Sequence, residues 1–489
     1  MKRDLLIIPA LMIVAFFATT EIAKAADISF SGQLLTRYEM NEHGTNANNT
    51  FNDSSAAGDF IVSRTRIAAD VAVNDSTSAF IQMSRNSTWG SNTADNNNTG
   101  GDTGAANGSF QVSDADAKLG LHQAYFTLKN FASLPADLKM GRQQIVLDGH
   151  RIFGNTIWTV GQQTHDAVRI DHKHDNMSFS YAYIVASEAG STNNNDTDQD
   201  AQNEIDAHMA YFKYAGILGG NLSLTYAGII DPCGNSSNCS NAPGDTKNDM
   251  HTLGFRQAGQ LYGIDYRGEY YYQWGDANQD ADAMTGGTAT GVGVDRDAYM
   301  FGVRIGKTFK NVNMKPGLTV WYDYLSGTDD SDLRGEAKFK SFNPVFDTGH
   351  KFYGLQDLFL GVGTGNQTNG TGGLGLQDLA IKTKMSPAPG WTFKADYHWF
   401  YTAASARANV NRGLAGQADI SNRPLALAAA DSSNALGNEI DLSLSNKYNA
   451  NTTITAGFSN YSNTDLFRDL RNVSGGGANW AYLMFDVKF

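Results

Sequence analysis

The chain has 489 residues, a formal net charge of −13 and 18% charged side chains, with 51 Gly, 21 Tyr, 26 Phe and only 9 Pro. A soluble domain of this size would show helical hydrophobic periodicity, and beyond residue 26 the i, i+3, i+4, i+7 pattern is almost missing. No later run approaches eighteen apolar residues, so helical membrane spans are excluded, and the acidic balance gives no reason to expect a nucleic-acid partner.

In chain order, Lys2 and Arg3 precede an apolar run over 5–18, and Ala23-Lys24-Ala25 offers an A-x-A cleavage site. That pattern is a secretory signal peptide over 1–25. The mature chain, 26–489, shows no domain boundary and reads as one unit. Its dominant signal is period-two alternation in segments of about ten residues between Asn/Asp/Gly/Ser-rich stretches, which is how a transmembrane β-barrel reads. The segments are 28–40, 59–73, 77–88, 119–130, 136–145, 166–173, 177–187, 205–214 and 221–230. They continue through 250–257, 261–274, 296–309, 318–325, 374–385, 391–402, 436–447, 452–458 and 480–489.

The cleanest case is 261–274, where Tyr262, Ile264, Tyr266, Tyr270, Tyr272 and Trp274 alternate with Asp265, Arg267, Glu269, Tyr271 and Gln273. A wall between lipid and water accounts for aromatics on one face and charges on the other. In the last segment Ala481, Leu483, Phe485, Val487 and Phe489 share one face, and the chain ends on that Phe. Such an ending resembles the closing strand of bacterial outer-membrane barrels, which implies recognition of Phe489 by the barrel-assembly machinery. The expected fold is all-β: a single-chain antiparallel barrel of about eighteen strands, with short periplasmic turns and long extracellular loops. Cys233 and Cys239, six positions apart, suggest a disulfide closing a small loop in an exported chain.

A barrel of about eighteen strands is wide enough for an aqueous lumen, so its inward phase lines a pore. Alternation places Arg37, Arg64, Arg66, Arg169, Arg256, Arg267, Arg296 and Arg304 inward, with Lys382, Lys384 and Lys394. Facing carboxylates include Asp171, Asp265, Glu269, Glu439 and Asp441. Arginine suits anionic solutes because its planar fork holds carboxylates bidentately and keeps its charge; mutual neutralisation across the wall is the competing account of these residues. Arg142 falls on the lipid face by the same counting, which requires a bulge or a place at the rim. Outward Tyr and Trp, such as Tyr38, Tyr272, Trp274 and Tyr401, are expected in interfacial girdles. Histidines occur, but no nucleophile-base-orienter set can be picked out, and no cofactor or metal is expected.

Residues Gly141-Arg142-Gln143-Gln-Ile-Val-Leu-Asp-Gly-His-Arg151, then Trp158 and Thr164-His-Asp166, resemble the alginate export family of outer-membrane channels. A second block agrees, with Tyr322-Asp-Tyr-Leu-Ser-Gly327, Phe342-Asn-Pro-Val-Phe346, His350, Tyr353-Gly354 and Asp357; a third is Leu436-Gly-Asn-Glu-Ile-Asp441. The resemblance implies an eighteen-stranded barrel with an electropositive constriction for an acidic polysaccharide. Two departures stand out. The turn at 448–451 is too short for a periplasmic plug, and the 89–118 and 326–371 loops, long enough to lid the lumen or fold into it, are rich in Asn, Asp and Gly.

The expected function is passive passage of hydrophilic, anionic solutes such as acidic saccharides. The alternatives are a general porin for small solutes and a structural sleeve for a periplasmic electron-transfer partner. Outer-membrane lipid and lipopolysaccharide are the expected surroundings of a monomer.

Overall fold

The computed structural model describes residues 27–42, 58–89, 119–187, 204–231, 248–280, 293–329, 332, 338–360, 370–405, 434–471 and 475–489. The expected leader over 1–25 and the expected Cys233–Cys239 disulfide lie outside the described residues, as does nearly all of the 89–118 loop.

A strand in hydrocarbon must find every backbone partner in a neighbouring strand, because the lipid offers none. This chain satisfies the requirement by closing on itself. Its first strands are β1 (Asp27–Asn41), β2 (Gly58–Ala72), β3 (Thr77–Thr88), β4 (Gly120–Leu128), β5 (Ala136–Gln143), β6 (His165–His174) and β7 (Met177–Ser187). There follow β8 (Ile205–Ile217), β9 (Gly220–Ile230), β10 (Met250–Leu261), β11 (Ile264–Asp280), β12 (Gly293–Thr308) and β13 (Gly317–Leu325). The set is completed by β14 (Lys338–Phe339), β15 (Leu376–Met385), β16 (Trp391–Tyr401), β17 (Ala435–Lys447), β18 (Thr452–Asn463) and β19 (Gly477–Lys488). Eighteen of them form the wall; β14 is a two-residue piece lying parallel to β12. Wall neighbours pair antiparallel, and β1 pairs with β19 from Gln33 opposite Lys488 to Asn41 opposite Trp480. Phe489 extends this seam by exchanging backbone hydrogen bonds with Gly32 at 2.7 and 3.1 Å. Its ring occupies the space where a Cβ on Gly32 would stand, so a larger residue at 32 would displace it.

Alternation separates the two faces. Along β19, Ala478, Trp480 and Tyr482 are buried, whereas Leu483 and Phe485 are 40% and 42% exposed on the outside. On the outer face of β11 to β13, Tyr270, Tyr299, Tyr324 and Phe301 lie against one another across the strands, with ring centroids 5.2–6.4 Å apart. Tyr272 donates its hydroxyl proton to Asp297 at 2.9 Å. Such rings bury an apolar body and keep a hydrogen-bonded tip, as a membrane interface requires.

Three local expectations are corrected. Tyr262 is not part of a strand; it occupies the β10–β11 turn at φ 51° and is fully exposed. The strand before it runs to Leu261, so the turn takes the two residues that alternation alone assigned to β11. The loop before β19 contains a helix, Asp465–Arg471, too short to show a 3.6-residue period, with Phe467 and Leu470 buried.

An Arg on the lipid face near mid-membrane costs about 2–4 kcal/mol, but far less facing water. Leu483→Arg is therefore expected to lower the unfolding free energy by about that amount, and Met484→Arg on the opposite face by much less. Denaturant titration of both variants in the same detergent checks this, and equal losses would contradict the assigned facing.

Candidate functional site

The wall encloses more space than its own side chains fill, and two segments from the long-loop end fold into it. One, residues 144–164, joins β5 to β6; the other, 338–360, lies between β13 and β15. They meet at one parallel bridge between Phe153 and Phe346, where Phe346 N–H donates to the Ile152 carbonyl at 3.2 Å and Gly154 N–H to the Phe346 carbonyl at 2.7 Å; Thr348 N–H also donates to the His150 carbonyl at 3.1 Å. Ile145, Ile152, Phe153, Phe342, Phe352, Tyr353 and Phe359 bury their side chains here, so apolar packing holds this material inside the barrel.

The centre of the site is Arg151, 2% exposed. Its guanidinium bonds to Asp323 of β13, donates to Glu269 of β11 at 3.4 Å and to the Tyr353 hydroxyl at 2.5 Å, and stacks on Phe352 at 3.7 Å. Burial opposes its charge, but Asp323, Tyr353 and Glu269 outweigh that penalty and hold it above the ordinary arginine range. Three wall arginines crowd the same carboxylate: Arg256, Arg267 and Arg304 lie 3.9, 3.8 and 3.5 Å from Glu269. Arg304 also pairs with Asp323 at 3.2 Å and stacks on Trp321 at 3.0 Å, while Arg256 stands 3.7 Å from Asp148. Much of this crowding is ion pairing beyond hydrogen-bond reach, and Glu269 Oε2 is itself buried without a hydrogen-bond partner among the described residues. Arg256 Nε, Arg267 Nε and Nη2, Arg304 Nε and Nη1 and Trp321 Nε1 are buried without a hydrogen-bond acceptor among the described residues. Lys351 adds another cation; burial lowers its pKa, and so do Arg267, Arg256 and Arg151.

Other residues singled out by alternation have different surroundings. Arg37, Arg64 and Arg66 are on the inner face but beneath the 144–164 segment, not on open lumen. Arg37 donates to the Trp158 carbonyl at 2.8 Å, Arg64 to that of Thr159 at 3.2 Å, and Arg66 to the Gln162 side chain at 2.5 Å. Arg296 is buried under Phe339 and donates to Asn248 at 3.1 Å. Arg169 and Asp171 pair at 2.7 Å beside a cavity of about 720 Å³. Lys382, Lys394 and Asp441 line a second cavity of about 230 Å³, where Lys382 pairs with Asp396 at 3.1 Å. Glu439 and Asp441 are buried with the Ser459 hydroxyl between them. Asp265 is exposed near the β10–β11 turn and accepts from Gln260 at 2.7 Å.

The motif around Gly141 divides in the same way. Gly141 takes φ +123° against the Ala124 carbonyl, and Gln143 turns inward to donate to the Ala167 carbonyl at 3.1 Å. Arg142 does face outward, at the long-loop rim, where Asp166 opposite it in register receives it through two bonds of 2.9 and 2.5 Å. Trp158 sits between Arg37, 3.6 Å above its ring, and His350, stacked at 4.2 Å.

Sequence reasoning missed Asp148, Asp347, Lys351 and Arg471 as parts of the interior, and Arg151 and Tyr353 as its electrostatic centre. A signal was available: Phe339, Phe342, Phe346, Phe352, Tyr353 and Phe359 are dense for a solvent loop.

A family model described as "Alginate export" matches residues 27–478. Among solved structures, Acinetobacter baumannii OccAB1 is 10% identical over 94% of this chain and 96% of that one, with a TM-score of 0.53. Pseudomonas aeruginosa OccK8 (OprE) is 11% identical over 95% and 98%, with a TM-score of 0.51. At these identities the likeness is one of fold. No curated protein matches the chain.

Asp347, in the infolded 338–360 segment, has Oδ2 enclosed without a partner among the described residues. Burial pushes its pKa up to about 7, with Arg151 opposing and Asp357 adding to the shift. An acid raised on folding contributes stability that is full below its ordinary value and is lost as pH rises through the folded one. The segment is therefore expected to loosen between about pH 4 and pH 8. Protection factors against hydrogen exchange over 340–358, taken relative to the base-catalysed intrinsic rate, should fall across that window, and Asp347→Asn should flatten the fall; an unchanged slope in that variant would contradict the assignment.

Proposed function

The chain belongs to the alginate export family, and from that premise we propose that this outer-membrane channel passes hydrophilic anionic solutes, acidic saccharides above all, down their gradients. The observation supporting this reading is the crowding of Arg151, Arg256, Arg267 and Arg304 around Glu269 and Asp323, with buried N–H donors that make no hydrogen bond among the described residues. Donors held by the fold in a confined interior replace part of an anion's hydration shell without reorganising, whereas a cation gains nothing from them. Lys351 extends the cationic surface towards the 230 Å³ cavity that it helps to line.

A leader over 1–25 would carry the chain across the inner membrane, and Phe489 would mark it for the barrel-assembly machinery. The short turns would then face the periplasm and the long loops the exterior, with lipid and lipopolysaccharide around the wall. A single chain completes its own ring, so a monomer suffices. We assign the interior charges to solute passage and none to catalysis.

Reversal potentials in planar bilayers under a salt gradient test this proposal. The native protein is expected to favour anions, and Arg267→Gln combined with Lys351→Gln should reduce the anion-over-cation permeability ratio several-fold. Unchanged potentials would favour a general porin for small solutes; no conductance at all would favour a structural sleeve.

A further inference from the structure

Resting on the channel reading, we infer that the two infolded segments form a fixed partition across the diameter of the lumen. Among the described residues it leaves a cavity on each side, sized for one or two sugar residues, and as passages these would bar a threaded polymer.

The infolded segments are tied to the wall at opposite sides. At one side, Arg37, Arg64 and Arg66 of β1 and β2 grip residues 158–162. At the other, Arg151 is held by Glu269 of β11 and Asp323 of β13. Gln273 of β11 exchanges two bonds with the Asn343 backbone, at 2.6 and 2.9 Å. In a ring of eighteen wall strands, β1–β2 and β11 are nine or ten places apart. They therefore stand opposite each other, and a segment bonded to both crosses the bore.

A third set of ties fixes the cross-piece to the β17–β19 sector. Gln356 N–H donates to Glu439 at 2.9 Å and its side chain to the Ala478 carbonyl at 3.1 Å. Gly354, at φ +81°, lies against the Glu439 carboxylate, where any Cβ would collide with it. Arg471 of the Asp465–Arg471 helix donates to the carbonyls of Leu358 and Gly370. A movable lid has few buried contacts and exposed backbone bonds. This element has the opposite: its aromatic side chains are packed, and its anchors are buried and charged.

The cavities fall on opposite sides of that diameter. The 720 Å³ cavity is walled by β5 to β8, with Arg169 and Lys213 among its lining; the 230 Å³ cavity is walled by β15 to β17 and β19, with Lys351 and Lys394. Sites for drug-sized ligands span roughly 300–1,000 Å³. The wider cavity therefore accommodates a short oligosaccharide and the narrower one a single ring. Carboxylates line both cavities too: Asp137, Asp148 and Asp171 stand with Arg169, Lys173 and Lys213 in the wider one, and Asp396 and Asp441 with Lys351, Lys382 and Lys394 in the narrower, so only the narrower carries a cationic excess. Neither offers a straight bore to a chain of many residues.

Two experiments on the whole protein in proteoliposomes test the partition. Swelling rates with neutral maltose-series sugars report size alone; they are expected to fall at least tenfold from di- to hexasaccharide, and a hexasaccharide rate within twofold of the disaccharide rate overturns the proposal. Lys213→Cys and Lys394→Cys, in a chain with Cys233 and Cys239 changed to Ser, are then labelled with a bulky thiol reagent. Each label should remove part of the conductance, the larger share at 213. Complete block from one label, or silence from both, overturns it. Should the size limit appear without any anion preference, the charge reading fails while the partition stands.

Discussion

Hydrocarbon offers no partner to a backbone N–H or C=O, and this constraint organises the whole molecule. The sheet must close, and it does so through the β1–β19 seam that Phe489 completes. Closure with eighteen wall strands creates an interior too wide for the wall's own side chains to fill. The residues 144–164 and 338–360 occupy that space, bringing their own aromatic core with them. Their seat depends in turn on Arg151, because withdrawing one partner from a buried ion pair costs about 3–5 kcal/mol, the remaining charges being left uncompensated. Strand closure, infolding and the buried charge cluster are thus successive consequences of one solvent.

Much of the wall was legible in the sequence, because a strand with one face in lipid and one inside must alternate. The eighteen alternating segments correspond to the eighteen wall strands, and inner and outer positions on β11 and β19 follow from parity alone. Parity does not report what lies over an inner residue. Arg37 and Arg267 obey the same rule, yet one is covered by Trp158 and the other stands among unsatisfied donors. Infolding could not be read from periodicity, since residues 144–164 and 338–360 bond to distant wall strands in no repeating pattern. Arg142 was the useful anomaly. Its outward facing is tolerated because Asp166 lies opposite in the adjacent strand at the rim.

The chain's net charge of −13 is a poor guide to its interior. Around Glu269 and Asp323 the cations outnumber the acids, with Arg151, Arg256, Arg267, Arg304 and Lys351 close together. Selectivity follows the local field inside a confined space, where charges are screened less than at the surface. Family membership and fold leave the solute open. On the function proposed above, the arrangement of donors and of the cross-piece would narrow it, to acids by charge and to short molecules by shape.

Accessibility of nitroxide labels along β19 tests the account most directly, because one strand samples lipid, open lumen and the covered interior. Single cysteines at 480–488, labelled and exposed to oxygen and to a water-soluble nickel chelate, should report lipid at Leu483, Phe485 and Val487 and water at Met484, Asp486 and Lys488. Trp480 and Tyr482 should be shielded from the chelate, since Trp158 packs against both at 5.4 and 4.9 Å. Loss of the alternation would contradict the wall, and chelate access at positions 480 and 482 would contradict the filled lumen.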